Sequence, residues 1–140
     1  MIPALILGVG LGWLTRATFD LTPFPESISR FAFIAPLIGA TEELIFRGFI
    51  QGYLRPVGRI FSIVYTSTVH TCYKLLVILS LDIPLQFDFF FLVLWTFVGG
   101  LAFGVLREGS RSSLPSLTAH ALFDIVLYGS YAVAPVWVWR

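Results

Sequence analysis

Residues 30–54 read RFAFIAPLIGATEELIFRGFIQGYL, and the acidic pair Glu42-Glu43 in the middle of this apolar run decides how the chain is understood. An ionised side chain near a bilayer centre costs at least ~2.5–3.5 kcal/mol, so carboxylates there pair with cations or take up a proton. Arg47 follows Glu43 by four residues and shares its helix face. Glu42 has no such neighbour. An acid of this kind inside a membrane is a functional-site candidate.

The rest of the chain supports a membrane setting. Of 140 residues, 57% are hydrophobic and 12% charged. A soluble domain carries roughly 25% charged residues. Mean hydropathy is +0.88. The net charge of +1 offers no basic patch, so a nucleic-acid partner is not expected. Cys72 is the only cysteine and cannot form an intramolecular disulfide. The first residues, MIPALILGVGLGWL, lack a basic n-region, and a removable signal peptide is not expected.

Apolar segments cover about residues 2–14, 31–54, 60–81, 89–106 and 114–139. About 20 apolar residues span a bilayer, so the second, third and fifth suffice by length and the fourth just does. The first is short and closely followed by Arg16. TPFPES at 22–27 reads as a loop. Strict alternation is lacking, which disfavours β structure, including a membrane barrel. Helices satisfy their own backbone in lipid, so the expected class is all-α, a polytopic transmembrane bundle of about four to five helices. Gly100 and Gly104, four residues apart, would admit a close helix neighbour. Trp13, Trp95, Trp137 and Trp139 are expected to mark interfaces or fill the bundle. Arg55 and Arg59 flank the second link between segments, and Arg107 and Arg111 the fourth, whereas the third carries Asp82 and Asp88. Positive links stay cytoplasmic, which places these Arg-bearing links inside, although Arg16 and Arg30 fall on the outer side.

The rare polar groups fall at similar depths. Glu42, His70, His120 and Asp124 lie 12, 10, 6 and 10 residues from the inner ends of their segments. At about 1.5 Å per residue these depths are roughly 18, 15, 9 and 15 Å. A desolvated glutamate can take a proton from water, a histidine can hold that water, and a second histidine can donate to an oxyanion. Together they would hydrolyse an amide without a covalent intermediate. No G-x-S-x-G or H-E-x-x-H motif is present.

At these residues the chain resembles the CPBP family of intramembrane endopeptidases, which includes the CAAX prenyl proteases and bacterial proteins grouped as abortive-infection proteins. EELIFR at 42–47 is similar to the family's EExxxR motif, TSTVH at 66–70 to FxxxH, and HALFD at 120–124 to a final His followed four residues later by Asn or Asp. GGLAFGVLREGSRSSLPSL, at 99–117, is similar to the Gly-rich stretch before the last histidine. The resemblance implies an N-terminal hydrophobic segment and loop over 1–30 and an intramembrane protease core over 31–140. It implies that Glu42 is the general base, that His70 holds the water with it, and that His120 and Asp124 stabilise the oxyanion. Glu43 and Arg47 would be a supporting pair. The implied substrate is a membrane-associated or lipidated peptide or protein. The implied location is the bilayer of a bacterial or archaeal cell, with the site toward the cytoplasm. No cofactor is expected; zinc on Glu42, His70 and His120 is the alternative. Thr66 stands where the motif has an aromatic, and Asp124 where the prenyl-protease branch has Asn.

Each motif also has a plainer reading. Glu42, Glu43 and Arg47 could form a structural ion-pair cluster. His70 could be a satisfied core histidine, and His120 with Asp124 a local hydrogen-bonded pair. Lys74, one turn beyond His70, is expected to snorkel toward an interface or to partner a carboxylate. Two other functions use the same residues: a proton-coupled transport component, and a non-catalytic immunity or scaffold membrane protein.

Overall fold

A computed structural model describes residues 1–80 and 88–133. Helix α1 spans Ile2–Thr18 and α2 spans Phe31–Glu43. The chain then continues through a π-helical stretch, Leu44–Ile50, into the short helix α3, Gln51–Leu54. Helices α4, α5 and α6 cover Arg59–Leu79, Phe89–Ser110 and Leu114–Tyr128. No strand occurs among the described residues, and the protein is an all-α bundle. Local chemistry sets several ends. The Asp88 carboxylate accepts from the Phe91 backbone N–H at 2.8 Å, satisfying one of the free donors at the start of α5. Pro115 stands in the first turn of α6, where a missing N–H leaves no bond unmade.

The apolar segments and the helices do not coincide everywhere. Helices α4 and α5, of 21 and 22 residues, are long and apolar enough to cross a membrane, while α1 and α6 are shorter. The second segment is interrupted as an α-helix by its π-helical stretch. The fifth ends as a helix at Tyr128. Asp82, Trp137 and Trp139 lie outside the described residues. Helix α1 extends past the expected boundary to include Arg16, whose side chain is buried. Its guanidinium donates to the Leu127 carbonyl at 3.0 Å near the end of α6 and to the Thr22 carbonyl at 2.5 Å. Arg16 thus satisfies free carbonyls of a helix end instead of standing in a loop, which removes it from the charge rule that it had weakened.

Close contacts give the helix directions. Gly8 and Gly12 of α1 lie against Ala119 and Val126 of α6, so these two helices run parallel. Gly39 of α2 faces His120 and Asp124, and Gly48 faces Ser113, so α2 runs antiparallel to α6. Gly100 and Gly104 of α5 meet Ser67 and Ile63 of α4, the close approach expected of that pair. Successive long helices alternate in direction. One end of the bundle gathers Arg55, Arg59 and Arg107 around the buried carboxylate of Glu108, with Arg107 at 2.8 Å and Arg55 at 3.1 Å.

The interior is polar to a degree a soluble core would not tolerate. Arg47, Gln51, Glu43, Thr66, Ser62 and Ser67 are among the largest fully buried side chains. Large apolar residues such as Ile60, Leu76, Phe33 and Phe90 are exposed. Apolar outside and polar inside is the distribution expected when the surrounding solvent is lipid. Such a bundle places its polar groups where helices converge, and the site is built there.

Candidate active site

Four elements deliver the polar layer. Helix α2 ends on Glu42 and Glu43, and the π-helical stretch directly after it carries Phe46 and Arg47. Helix α4 brings His70 and Lys74, and α6 brings His120 and Asp124. π-Helical turns are rare and often stand at functional sites. Gly39 makes the α2–α6 approach possible, because a Cβ there would lie 2.5 Å from Asp124 Oδ2 and 2.9 Å from His120 Cδ2.

Glu42 and His70 meet, with Oε2 3.3 Å from Nε2. Arg47 Nη1 lies 3.1 Å from the other ring nitrogen, Nδ1. A guanidinium has no lone pair, so Nδ1 must accept and the neutral ring carries its proton on Nε2, directed at the Glu42 carboxylate. Arg47 also donates to the Gly100 carbonyl at 3.0 Å and pairs with Glu43 Oε1 at 3.2 Å. The expected Glu43–Arg47 pair is present, and it reaches further than the i,i+4 spacing alone indicates. Glu43 Oε1 also accepts from His120 Nδ1 at 3.1 Å. His120 Nε2 is thereby left facing Asp124 Oδ1, 4.0 Å away. That separation is too long for the local hydrogen bond considered from sequence.

Glu42, which lacked a cation within its own segment, finds one across the helix interface. Lys74 Nζ lies 2.5 Å from Glu42 Oε1. The expected snorkelling does not occur, because an unpaired buried carboxylate holds the ammonium more strongly than the distant interface does. The Lys74 side chain is 26% exposed and borders a cavity of about 160 Å³, together with His70, His120 and Asp124. The cavity leads from this polar layer between apolar walls toward Phe19 and Phe91, away from the Arg-bearing end. Trp95, half-buried, borders it and donates from Nε1 to Thr15 Oγ1 at 2.6 Å. Trp13 is exposed.

The donor set does not fit a metal. An ammonium sits against Glu42, a guanidinium occupies His70 Nδ1, and His120 turns Nδ1 to Glu43. Among the described residues no group of three or more His, Cys, Asp or Glu is disposed to share an ion. Catalytic zinc sites need three such protein ligands around an open position.

The protein-family model described as Type II CAAX prenyl endopeptidase Rce1-like matches residues 24–126. The chain belongs to this Rce1-like family. At family level it is a CAAX-type intramembrane protease, and its apolar helices fit a membrane protein. Comparison with curated proteins and with solved structures gives no match. The Rce1-like match takes in all three motifs noted in the sequence and begins ahead of α2, in the loop that follows α1.

An aromatic ring packs beside His70 although Thr66 supplies none. The aromatic beside His70 comes from Phe46, three residues after Glu43, with ring centroids 4.5 Å apart. Thr66 itself is fully buried, and its hydroxyl has no hydrogen-bond partner among the described residues. Sequence reasoning did not single out Phe46, Gly39 or Glu108, and for Lys74 it left open a carboxylate partner without naming Glu42. Phe46 stands inside the EELIFR motif, and Glu108 was detectable as the one acid in an Arg-rich link. Nothing in the spacing marks Gly39 or the partner of Lys74, because both depend on which helices are neighbours.

Proposed function

We propose that this protein is an endopeptidase that hydrolyses a peptide bond of a membrane-associated or lipidated peptide, with water activated by Glu42. The observation that carries the reading is the Glu42–His70 pair. Its imidazole is fixed in one tautomer by Arg47, at the polar end of a cavity with apolar walls. Glu42 takes a proton from a water held beside His70. The water oxygen attacks the carbonyl carbon, and negative charge develops on the carbonyl oxygen. His120, protonated on both nitrogens and oriented through Nδ1 by Glu43, donates from Nε2 to that oxygen, and the nearby Asp124 carboxylate helps to balance the charge of the ring. Collapse expels the amine, which receives the proton that Glu42 took. The scheme needs no metal, in keeping with the poor fit of the donor set to one.

The family description points to a prenylated C-terminal peptide as the first substrate to try. The test uses purified full-length protein and an internally quenched farnesylated peptide. The expected result is cleavage that Glu42→Gln lowers by about 10²–10⁴-fold in kcat, the range for losing a general base. Glu42→Gln should leave helix content and membrane insertion unchanged. Full cleavage by a clean Glu42→Gln preparation rejects the role given to Glu42. No cleavage by the unsubstituted protein favours a non-catalytic member of the family.

A further inference from the structure

Lys74 stands outside the three sequence motifs, yet it touches the carboxylate at the centre of the proposed chemistry and borders the cavity. We propose that Lys74 is a further catalytic residue: its ammonium, paired with Glu42 before reaction, moves to the substrate oxygen as negative charge appears there. The proposal rests on the peptidase reading above and deepens it.

Besides His120, whose Nε2–H supplies one bond to the oxygen in the scheme above, the other donors around Glu42 are committed elsewhere. His70 uses Nε2–H on Glu42 and has its Nδ1 taken by Arg47. Arg47 is fully buried, with its guanidinium shared among Glu43, His70 and the Gly100 carbonyl. Lys74 is partly exposed, on a flexible stem, with a single ion-pair partner among the described residues. An ammonium also has three donors, so it can hold a carboxylate and reach a second acceptor.

The charge balance gives the movement its direction. In the first step the water oxygen bonds to the carbonyl carbon and the carbonyl π pair moves to oxygen. The water proton goes to Glu42. Glu42 therefore loses its charge as the substrate oxygen gains one. The cation that neutralised the first is then attracted to the second, inside a site of low dielectric where such attraction is strong. In the second step the oxygen pair re-forms the carbonyl and the C–N bond breaks. Glu42 gives its proton to the leaving nitrogen, and Lys74 returns to the restored carboxylate.

The experiment compares Lys74→Met and Lys74→Arg with the unsubstituted protein on the same farnesylated peptide. It also measures binding of a phosphonate analogue of that peptide, whose tetrahedral anion imitates the intermediate. Lys74→Met is expected to lower kcat by about 10²-fold, the effect of removing one oxyanion donor, with KM changed by less than about threefold. Phosphonate affinity should fall in parallel with kcat/KM. Lys74→Arg, which keeps the cation, should retain at least about tenfold more activity than Lys74→Met. Three results overturn the proposal: Lys74→Met as active as the unsubstituted protein or more so; a rise in KM alone; or equal loss in both variants with a lowered unfolding midpoint. Cleavage by the unsubstituted protein that survives Lys74→Met removes Lys74 alone, whereas absence of cleavage by the unsubstituted protein removes the peptidase reading and this proposal together.

Discussion

Arg47 is the residue on which the polar layer depends most. It is fully buried and joins Glu43, His70 and the Gly100 carbonyl, so three helical segments meet at one guanidinium. Leaving a buried charge without its partner costs about 3–5 kcal/mol. Arg47→Leu is therefore expected to destabilise the bundle by about that amount, read as a lowered unfolding midpoint in detergent, because Glu43 would keep its burial and lose its guanidinium partner. Replacing Glu43 with Gln in the same chain should recover part of the loss, since a neutral amide needs no counter-charge. If Arg47→Leu unfolds at the same temperature as the unsubstituted protein, the pair is not structural. The i,i+4 spacing made the Glu43–Arg47 pair legible in advance. The bond from Arg47 to His70 was not, because 23 residues separate them and only helix packing decides whether they meet.

Two glycines separate stability from catalysis at the scale of helices. A Cβ at Gly8 would run into the Ala119 backbone carbonyl, which cannot move without moving α6. A Cβ at Gly39 would meet the Asp124 carboxylate and the His120 ring, side chains that can shift without moving the backbone of α6. Gly8→Ala is accordingly expected to cost about 1–3 kcal/mol of stability, as overpacking does. Gly39→Ala should cost less stability and lower kcat by at least about tenfold, because a catalytic group misplaced by about 1 Å loses up to 10²-fold. Unfolding midpoints and cleavage rates of the two variants, measured side by side, check the contrast; the opposite ranking would mean that α1, not α2, governs the geometry of α6. The Gly100–Gly104 pair was readable as a close approach because the two lie in a long apolar segment. Gly8 and Gly12 have the same spacing in a segment too short to announce a packed helix. The π-helical stretch after Glu43 left no mark that periodicity could detect.

The whole molecule is polar within and apolar without, with a cluster of arginines gathered at one end. Arg55, Arg59 and Arg107 lie at one end, while the cavity opens from the polar layer toward the other. The cavity leads away from the Arg-bearing end into the opposite half of the bundle, and the charge rule predicts that this Arg-bearing end faces the cytoplasm. Single cysteines test this orientation in a Cys72→Ser background. Ser112→Cys, at the Arg-bearing end, should react with an impermeant maleimide only from the cytoplasmic side, and Ser27→Cys only from the other. Reversed labelling would invert the topology and carry the cavity with it. Both serines are exposed, so burial does not limit the reaction.

Taken by itself, the amino-acid order determined the helical class, the membrane setting and the family, because apolar runs, missing alternation and motif spacing are properties of neighbours along the chain. It also determined the Glu43–Arg47 pair, which one helical turn brings together. The tertiary structure alone decided that Lys74 guards Glu42, that His120 leans on Glu43 instead of Asp124, and that Phe46 packs its ring beside His70. The reason is physical. A buried polar group takes whichever partner the packed helices place within about 3 Å, and that choice depends on directions and rotations that no local spacing encodes.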